Sequence, residues 1–323
     1  MHGRKRRIGR REEAFNWVYP LKFKPVYKEM IWGGRALESL FGRKLPSSRI
    51  GESWELCTHP QGMSCINNGI WQGKTLQEVI EQQPETILGK AYAGQAQFPL
   101  LIKYIDANDH LSIQVHPGDE YARRVEGERG KTEAWYVVDA GPGAEIIYGL
   151  SDTVTREIFS QAVASGAVEP VLRRVAVCPG DLILVPAGTV HSLLKGVVVC
   201  EVQQSSDLTY RIHDFNRTGP DGKPRALHIE KALEVISFGE QPPLNFTQDS
   251  ITCSYFSVRK WQVKPLVRDY SGGHFLVYCI LQGSGQVVGN GVSTPVQAGE
   301  TVLVPACLES VEIMGELHLL RIQ

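Results

Sequence analysis

A ten-residue segment occurs twice in the chain, and this repeat limits the fold more than any other feature of the sequence. The first copy, residues 178–187, reads CPGDLILVPA, and the second, residues 297–306, reads QAGETVLVPA. A strand-like run that contains aromatic residues and ends in glycine precedes each copy, at residues 135–141 and 277–283. Repetition of one strand and turn pattern predicts two similar β units. Chance similarity between two Gly- and Pro-rich β segments is the alternative.

Short apolar runs between glycines and prolines make up much of the 323-residue chain. The 32 glycines and 18 prolines separate runs rich in Val, Ile, Leu and Tyr, such as residues 134–138, 182–185 and 197–202. Runs of this length at close spacing predict the strands of a sandwich or barrel. The sequence therefore predicts a mainly β fold of two jelly-roll barrels.

Helical signals are few, and they predict only a few short helices. Thr75 and Glu78 have the spacing of a capping box at the start of the first. Two further helices are predicted, one from Ser151 or Asp152 to Ala164 and one from His228 to Ile236.

A polar stretch at residues 239–249 contains two consecutive prolines and is the predicted domain boundary. The prediction divides the chain into a basic, disordered extension (1–18), a first domain with helical insertions (19–240) and a second domain (241–323). Six basic residues lie in the first eleven positions without an apolar run behind them, so no signal peptide is expected. They are Arg4, Lys5, Arg6, Arg7, Arg10 and Arg11. Contact with nucleic acid is the alternative role for this cluster.

Composition excludes several classes of protein. The formal net charge is −1, so no overall field attracts the chain to nucleic acid or to a membrane. No uninterrupted apolar stretch approaches the length of a membrane span. The seven cysteines are scattered and form no C-x-x-C pair, which predicts free thiols in a reducing, cytoplasmic compartment. A bound metal would therefore need nitrogen and oxygen ligands.

Polar and apolar residues alternate in the segment 111–119. Alternation along a strand places Ser112, Gln114 and His116 on one face. The apolar Ile113 and Val115 then point to the opposite face. Three polar side chains inside a barrel would need partners, because an unpaired buried polar group costs a few kcal/mol. A solvated strand face is the alternative.

Two later segments supply further candidate ligands. Lys131 and Glu133 share one face at the start of an apolar strand, where a surface ion pair is the alternative, and His191 follows the first copy of the repeat. Together with Gln114 and His116, these segments offer two imidazoles, one carboxylate and one amide oxygen. That set suits Zn²⁺ with a coordination position left open for water or substrate.

The second copy of the repeat is an internal control. Ser310 stands where His191 stands in the first copy, and Phe275 is predicted to stand in register with Glu133. Since the second copy keeps the turns without these ligands, the ligands are not needed to build the fold. The sequence predicts that only the first copy binds metal.

A fourth segment, residues 201–217, adds an acid and a fixed positive charge. Glu201 follows the apolar run 197–200 and is expected to point into the barrel. Arg211 suits a phosphate or an enediolate, because its guanidinium is always charged. An ion pair with Asp207 or Asp214 is the alternative role for this arginine.

Further motifs at residues 27–34, 51–55 and 99–107 precede these four segments. All of them occur in the same order as in the type I mannose-6-phosphate isomerases, and the chain from 20 to 323 resembles their short bacterial form. The resemblance implies two cupin-type barrels and an enzyme that interconverts mannose 6-phosphate and fructose 6-phosphate. The chain departs from the longer members, because it lacks their large helical insertion between Glu133 and His191.

The resemblance also assigns roles to particular residues. It implies that one Zn²⁺ per chain is held by Gln114, His116, Glu133 and His191. Arg211 matches the catalytic arginine of the family, and Glu201, Lys131 and Lys103 match further active-site positions. It does not settle whether Gln114 binds the metal directly.

The implied reaction moves a proton between C1 and C2 through a cis-enediol, which requires a base and stabilisation of negative charge on oxygen. Glu201 is the first candidate for the base, because burial is expected to raise its pKa, and Lys131 is the second. Arg211 is expected to stabilise the enediolate or bind the phosphate, and Lys103 with Ser112 would complete the phosphate pocket.

The expected partner is a sugar phosphate, with no nucleic acid or membrane, and the chain is expected to be a monomer or homodimer. Two alternatives remain open at this point. One is a non-catalytic, zinc-bound protein that binds sugar phosphates. The other is a metal-dependent cupin oxygenase, although such sites usually present three histidines and one glutamate.

Overall fold

The computed structural model describes residues 18–92, 94–219 and 222–323. The basic residues between Arg4 and Arg11 lie outside these ranges. The prediction of a mainly β fold with short helices is confirmed. None of the helices in the described ranges is long and apolar enough to cross a membrane. All seven cysteines are free thiols, as predicted.

Twenty strands and six α-helices lie in the described part of the chain. The strands are β1 (Leu21–Lys24), β2 (Val26–Gly34), β3 (Ile50–Leu56), β4 (Cys65–Ile66), β5 (Leu100–Ala107), β6 (Ile113–Val115), β7 (Glu133–Ala140), β8 (Glu145–Leu150), β9 (Leu172–Ala176), β10 (Leu182–Val185), β11 (His191–Leu193), β12 (Val197–Gln204), β13 (Tyr210–His213), β14 (Ser250–Thr252), β15 (Ser257–Val263), β16 (Leu266–Tyr270), β17 (Leu276–Gly289), β18 (Val292–Gln297), β19 (Thr301–Val304) and β20 (Ser310–Ile322). The helices are α1 (Ala36–Phe41), α2 (Leu76–Gln82), α3 (Pro84–Leu88), α4 (Asp119–Val125), α5 (Arg156–Ala164) and α6 (Ile229–Val235).

The three predicted helices are all present. Helix α2 begins with the predicted capping box: the Thr75 side chain accepts from the Glu78 amide, and the Glu78 carboxylate accepts from the Thr75 amide. Helix α5 begins later than predicted, at Arg156, because the Thr155 side chain caps it by accepting from the Ile158 amide. Helix α6 differs from its prediction by one residue at each end.

Contacts within the chain define two compact units. Within the described ranges, the first unit comprises residues 24–64 and 98–259, and the second comprises residues 18–23, 65–97 and 260–323. The domain bounds given by the sequence, 19–240 and 241–323, stay a prediction.

The first unit contains two sheets with a common apolar core. One sheet has the strand order β10-β7-β12-β5-β3-β2, and the other has the order β13-β6-β11-β8-β9. Trp135 and Val199 of the first sheet share a buried cluster with Ile146 and Leu193 of the second. This core can be maintained by apolar packing alone, so it does not depend on the polar residues at its edge.

Two helices cover the other face of the five-stranded sheet. Ile113 and Val115 of β6 share a second buried cluster with Phe159 of α5 and Ala232 of α6. Because side chains alternate along a strand, Gln114 points to the opposite, inward face. The predicted alternation in this segment is confirmed.

In the second unit the strand order is β15-β20-β17-β19-β1-β4, with β16 paired to β20 and β18 paired to β17. Its β17 lies between β19 and β20, just as β7 lies between β10 and β12 in the first unit. The two copies of the repeat therefore form the same three-strand arrangement.

The predicted register between the two copies is wrong by one residue. Val185 lies opposite Glu133, whereas the matching Val304 lies opposite Leu276 rather than Phe275. The prediction aligned the two upstream runs, each of which contains aromatic residues and ends in a turn glycine, and these features do not fix how a strand pairs. The residue at the position of Glu133 is apolar in either register, so the contrast between the copies holds.

A buried polar network lies within the second unit. The Tyr278 hydroxyl donates to Asp269 Oδ2 at 2.7 Å, and Arg321 Nε donates to the same oxygen at 2.7 Å. Tyr278 and Arg321 are direct neighbours in the β17–β20 ladder. Burial and the Asp269 charge raise the pKa of Tyr278, so its proton stays on the hydroxyl.

We expect Asp269→Ala to lower the free energy of unfolding by about 3–5 kcal/mol, because it leaves a partly buried guanidinium and a buried hydroxyl without their acceptor. Urea unfolding followed by circular dichroism measures this change. Glu312→Ala is the matched control, since it removes the exposed Arg268–Glu312 pair and should cost less than about 1 kcal/mol. Equal effects of the two substitutions would contradict the assignment of a stabilising network.

Candidate functional site

Three of the predicted ligands meet in the interior of the first unit. His116 follows β6, Glu133 begins β7 and His191 begins β11, and all three are about 1% exposed. The two Nε2 atoms are 3.1 Å apart, and each lies 3.4 Å from a carboxylate oxygen of Glu133. Tetrahedral zinc with ligands at 2.0–2.1 Å places neighbouring ligand atoms about 3.3 Å apart. The spacing of these side chains therefore fits a zinc-sized ion.

The His191 imidazole presents the lone pair that a metal requires. His191 Nδ1 donates to the Thr189 carbonyl at 2.8 Å, which leaves Nε2 unprotonated in the neutral ring. Burial lowers the pKa of His191 to about 4, and burial followed by the Lys131 charge lowers the pKa of His116. Both rings are therefore neutral near pH 7.

Only one of the two carboxylate oxygens of Glu133 lies close to a positive charge in the described part of the chain. Its Oε1 receives no hydrogen bond from the described residues, and its Oε2 has only the Lys131 ammonium, at 3.0 Å. Burial and the negative charge of Glu201 raise its pKa. A bound cation would satisfy the oxygen that has no hydrogen-bond donor, so this buried acid supports a metal site independently of the spacing.

Gln114 lies at the edge of this cluster. Its Nε2 is 3.4 Å from Nε2 of His191, and its Oε1 accepts from the Ser112 hydroxyl at 3.1 Å. A rotation of the amide by 180° would bring the oxygen toward the cluster. Direct ligation by Gln114 stays a prediction.

A cavity of about 310 Å³ opens beside the cluster. Its wall includes Lys103, Ser112, Gln114, Lys131, Glu201 and Arg211, together with Met30, Trp32 and Trp135. The structure thus brings every predicted substrate-binding and catalytic residue to one cavity next to the candidate ligands.

Lys131 and Glu133, which were predicted to share a strand face, do form an ion pair, but this pair is buried. Lys131 is 3% exposed, and its Nζ also lies 3.1 Å from His116 Nε2. The alternative of a solvated surface pair is therefore wrong. Lys131 touches two of the candidate ligands directly.

The predicted direction of the Glu201 pKa shift is wrong. Burial does oppose ionisation, but Lys103 Nζ, 2.9 Å from Oε2, and the nearby Lys131 hold the pKa below its ordinary value. Trp135 Nε1 donates to the other oxygen at 2.8 Å. Glu201 is therefore an ionised carboxylate fixed at both oxygens.

Lys103 is enclosed by acidic side chains. Besides Glu201, its Nζ lies 3.6 Å from Glu52, and Trp54 Nε1 donates to that second carboxylate at 2.6 Å. Burial opposes protonation of Lys103, yet Glu201 and Glu52 raise its pKa. Its role in phosphate binding stays a prediction.

Arg211 has no carboxylate partner among the residues that the structure describes. Its Nη1 donates to the Ala226 carbonyl at 2.9 Å, and its Nε is buried without a hydrogen bond to any of them. Burial and the charge of Arg225 lower its pKa. The alternative of an ion pair with Asp207 or Asp214 is wrong.

The sequence reasoning missed a second arginine in the cavity wall, Arg225. It follows β13 in a segment rich in Gly, Pro and basic residues, which indicates a loop. Its positive charge is the only feature of the sequence that could have indicated a place in the site, and arginines in solvated loops have the same feature.

Two family models match separate parts of the chain. Residues 21–141 match the catalytic domain of type I phosphomannose isomerase, and residues 247–323 match the cupin domain of mannose-6-phosphate isomerase. The chain is 41% identical over 307 residues to the mannose-6-phosphate isomerase ManA of Bacillus subtilis, covering 92% of this chain and 96% of the relative. It is 36% identical over 312 residues to the mannose-6-phosphate isomerase of Streptococcus mutans, covering 93% and 97%.

The chain belongs to the type I phosphomannose isomerase family. A solved structure of the mannose 6-phosphate isomerase from Bacillus subtilis superposes with a TM-score of 0.87 at 36% identity, covering 94% of this chain and 99% of that one. A putative mannosephosphate isomerase from Archaeoglobus fulgidus has the same fold, with a TM-score of 0.79 at 22% identity.

Membership of the phosphomannose isomerase family confirms the predicted family, the cupin fold and an isomerase activity. This family is metal-dependent, in agreement with the cluster of His116, Glu133 and His191. The assignment favours the isomerase over the oxygenase alternative.

Proposed function

We propose that the chain is a zinc enzyme that interconverts mannose 6-phosphate and fructose 6-phosphate by moving a proton between C1 and C2 through a cis-enediol. The observation that carries this proposal is the buried His116–Glu133–His191 cluster beside a cavity lined by Lys131, Glu201 and Arg211. The relatives named mannose-6-phosphate isomerase in Bacillus subtilis and Streptococcus mutans match 92% and 93% of this chain.

One Zn²⁺ per chain would be held by His116, Glu133 and His191, with Gln114 as a fourth ligand. Two histidines and one glutamate form a common set for catalytic zinc. The ion would act as a Lewis acid that stabilises negative charge on the substrate oxygens.

The residues around the cluster would divide the remaining work. Glu201 stays the first candidate for the base, because its carboxylate is ionised, lines the cavity and is fixed in position by Trp135 and Lys103. The same Lys103 contact lowers its pKa, so it is a weaker base than an ordinary glutamate. Lys131, in contact with two ligands, is the second candidate. Arg211 would stabilise the enediolate, since its guanidinium has no carboxylate to neutralise it among the described residues.

The metal requirement can be tested by chelation. We expect a chelator to abolish turnover of mannose 6-phosphate in an assay coupled to fructose 6-phosphate, and added Zn²⁺ to restore it. Chelator saturated with zinc beforehand is the control and should leave turnover unchanged. A protein that holds one zinc per chain and shows no turnover would instead support the non-catalytic, sugar-phosphate-binding alternative.

We also propose that the enzyme is cytoplasmic, in line with its seven free thiols, and that its partner is a sugar phosphate. A monomer or homodimer remains the expected state. Size-exclusion chromatography with light scattering measures that state directly.

A further inference from the structure

Arg225 is held rigidly at the cavity wall by one acidic residue. Its Nε donates to Asp214 Oδ2 at 2.7 Å, and its Nη2 donates to Asp214 Oδ1. Such a two-point contact fixes the plane of the guanidinium. The remaining nitrogen, Nη1, makes no hydrogen bond within the described ranges, and Arg225 lines the cavity.

Asp214 does not neutralise the positive charge around it. The same carboxylate also accepts from Arg217 Nη2 at 2.7 Å, so two guanidinium groups share one negative charge. Arg211 lies close enough for the charges of Arg225 and Arg217 to lower its pKa. Arg211 and Arg225 line this side of the cavity, whereas Arg217 also lies 3.8 Å from a second carboxylate, that of Asp109. Three guanidinium groups thus stand against two carboxylates, which leaves one positive charge in excess.

The two lysines of the cavity, in contrast, are paired with buried carboxylates. Lys103 lies 2.9 Å from Glu201 and 3.6 Å from Glu52, and Lys131 lies 3.0 Å from Glu133. Each lysine thus has at least one buried carboxylate of its own. Asp207 also lines the cavity, and its charge acts on Lys103, so the lysines are balanced by acidic side chains. The positive charge without a counterpart therefore lies with the arginines, where it suits an anionic ligand group.

We propose that Arg225 binds the phosphate group of the substrate and that Asp214 is the positioning residue that holds it for this purpose. The inference rests on the proposed function for the identity of the substrate. The phosphate then lies on the Asp214 side of the cavity, and Lys103 holds Glu201 in position. Arg211 is paired with the candidate ligand Gln114 in the β13–β6 ladder, which leaves it for the reacting end of the substrate.

The first test separates substrate binding from turnover. We expect Arg225→Ala to raise KM for mannose 6-phosphate by about 10- to 100-fold with kcat changed less than about threefold, because a charged hydrogen bond is lost from ground state and transition state alike. The preference for mannose 6-phosphate over unphosphorylated mannose should fall by a similar factor. Arg174→Ala, which removes an exposed arginine of β9, is the control. Unchanged KM in a folded Arg225→Ala protein would overturn the proposal.

The second test does not depend on turnover. Calorimetry with inorganic phosphate should give a dissociation constant for the wild-type protein that Arg225→Ala raises by about the same factor. Asp214→Asn should weaken phosphate binding by a smaller factor, because the amide keeps the shape but loses the charge that holds the guanidinium. If Arg225→Ala does not fold, Arg225→Lys serves instead, since an ammonium cannot make the two-point contact.

The two tests distinguish failure of this inference from failure of the proposed function. A wild-type protein without isomerase turnover that binds phosphate through Arg225 would refute the function and keep the anion site. Active enzyme with phosphate affinity that is unchanged in both Arg225 variants would refute the anion site and keep the function.

Discussion

Replacement of His116 or His191 by alanine should remove the bound zinc and lower kcat by at least about 10³-fold, because the metal supplies several kcal/mol of charge stabilisation. The protein should still fold, since its apolar core is built from other residues, such as Trp135 and Ile146. Metal analysis, circular dichroism and the isomerase assay measure the three properties separately.

The matched control for this experiment is His318→Ala. His318 lies on β20 of the second unit and is exposed, so its loss should change neither metal content nor turnover. A His116→Ala or His191→Ala protein with one zinc per chain and normal turnover would show that the metal site has been misassigned.

Arg211→Ala should lower kcat by about 10²–10³ with little change in KM, the range typical of removing one preorganised donor to a developing oxyanion. The unpaired Nε of Arg211 supports this expectation, because no described side chain competes for it. Steady-state kinetics on the folded variant measures the effect. Arg211→Lys should rescue little activity, since a point charge cannot replace the planar guanidinium.

Two other outcomes for Arg211→Ala have distinct meanings. A rise in KM at constant kcat would assign Arg211 to the phosphate instead of the enediolate. Wild-type kcat and KM with a lower melting temperature would leave only a structural role and overturn the catalytic one. Arg174→Ala again serves as the control.

The local part of the site could be predicted from the sequence, because it depends on short-range geometry. Alternation in β6 places Gln114 opposite to Ile113 and Val115, and this follows from the pleat of any strand. The ligand types, two imidazoles and one carboxylate, also indicate their metal without knowledge of the fold.

The remaining features depend on strand pairs far apart in sequence. The β5–β12 ladder places Lys103 directly opposite Glu201. This contact reverses the direction of the Glu201 pKa shift that burial alone would give, and no pattern within either strand reveals it. The contact between Arg225 and Asp214 likewise depends on the path of a loop. The pairing of Leu276 with Val304, which the sequence prediction missed by one residue, depends on how distant strands align.

A metal ion bound at the buried site of the first unit would make the stability of that unit depend on metal supply. Glu133, Lys131 and both histidines lie inside the protein, and burying such groups costs free energy unless they are well paired. At the same ladder position the second unit has Leu276, which needs no partner. A metal ion that binds only the folded chain stabilises it by RT ln(1 + [M]/Kd). Metal binding by His116, Glu133 and His191 would thereby couple the stability of the folded chain to the free metal concentration around it. Scarcity of the ion would then reduce the amount of folded protein as well as its activity.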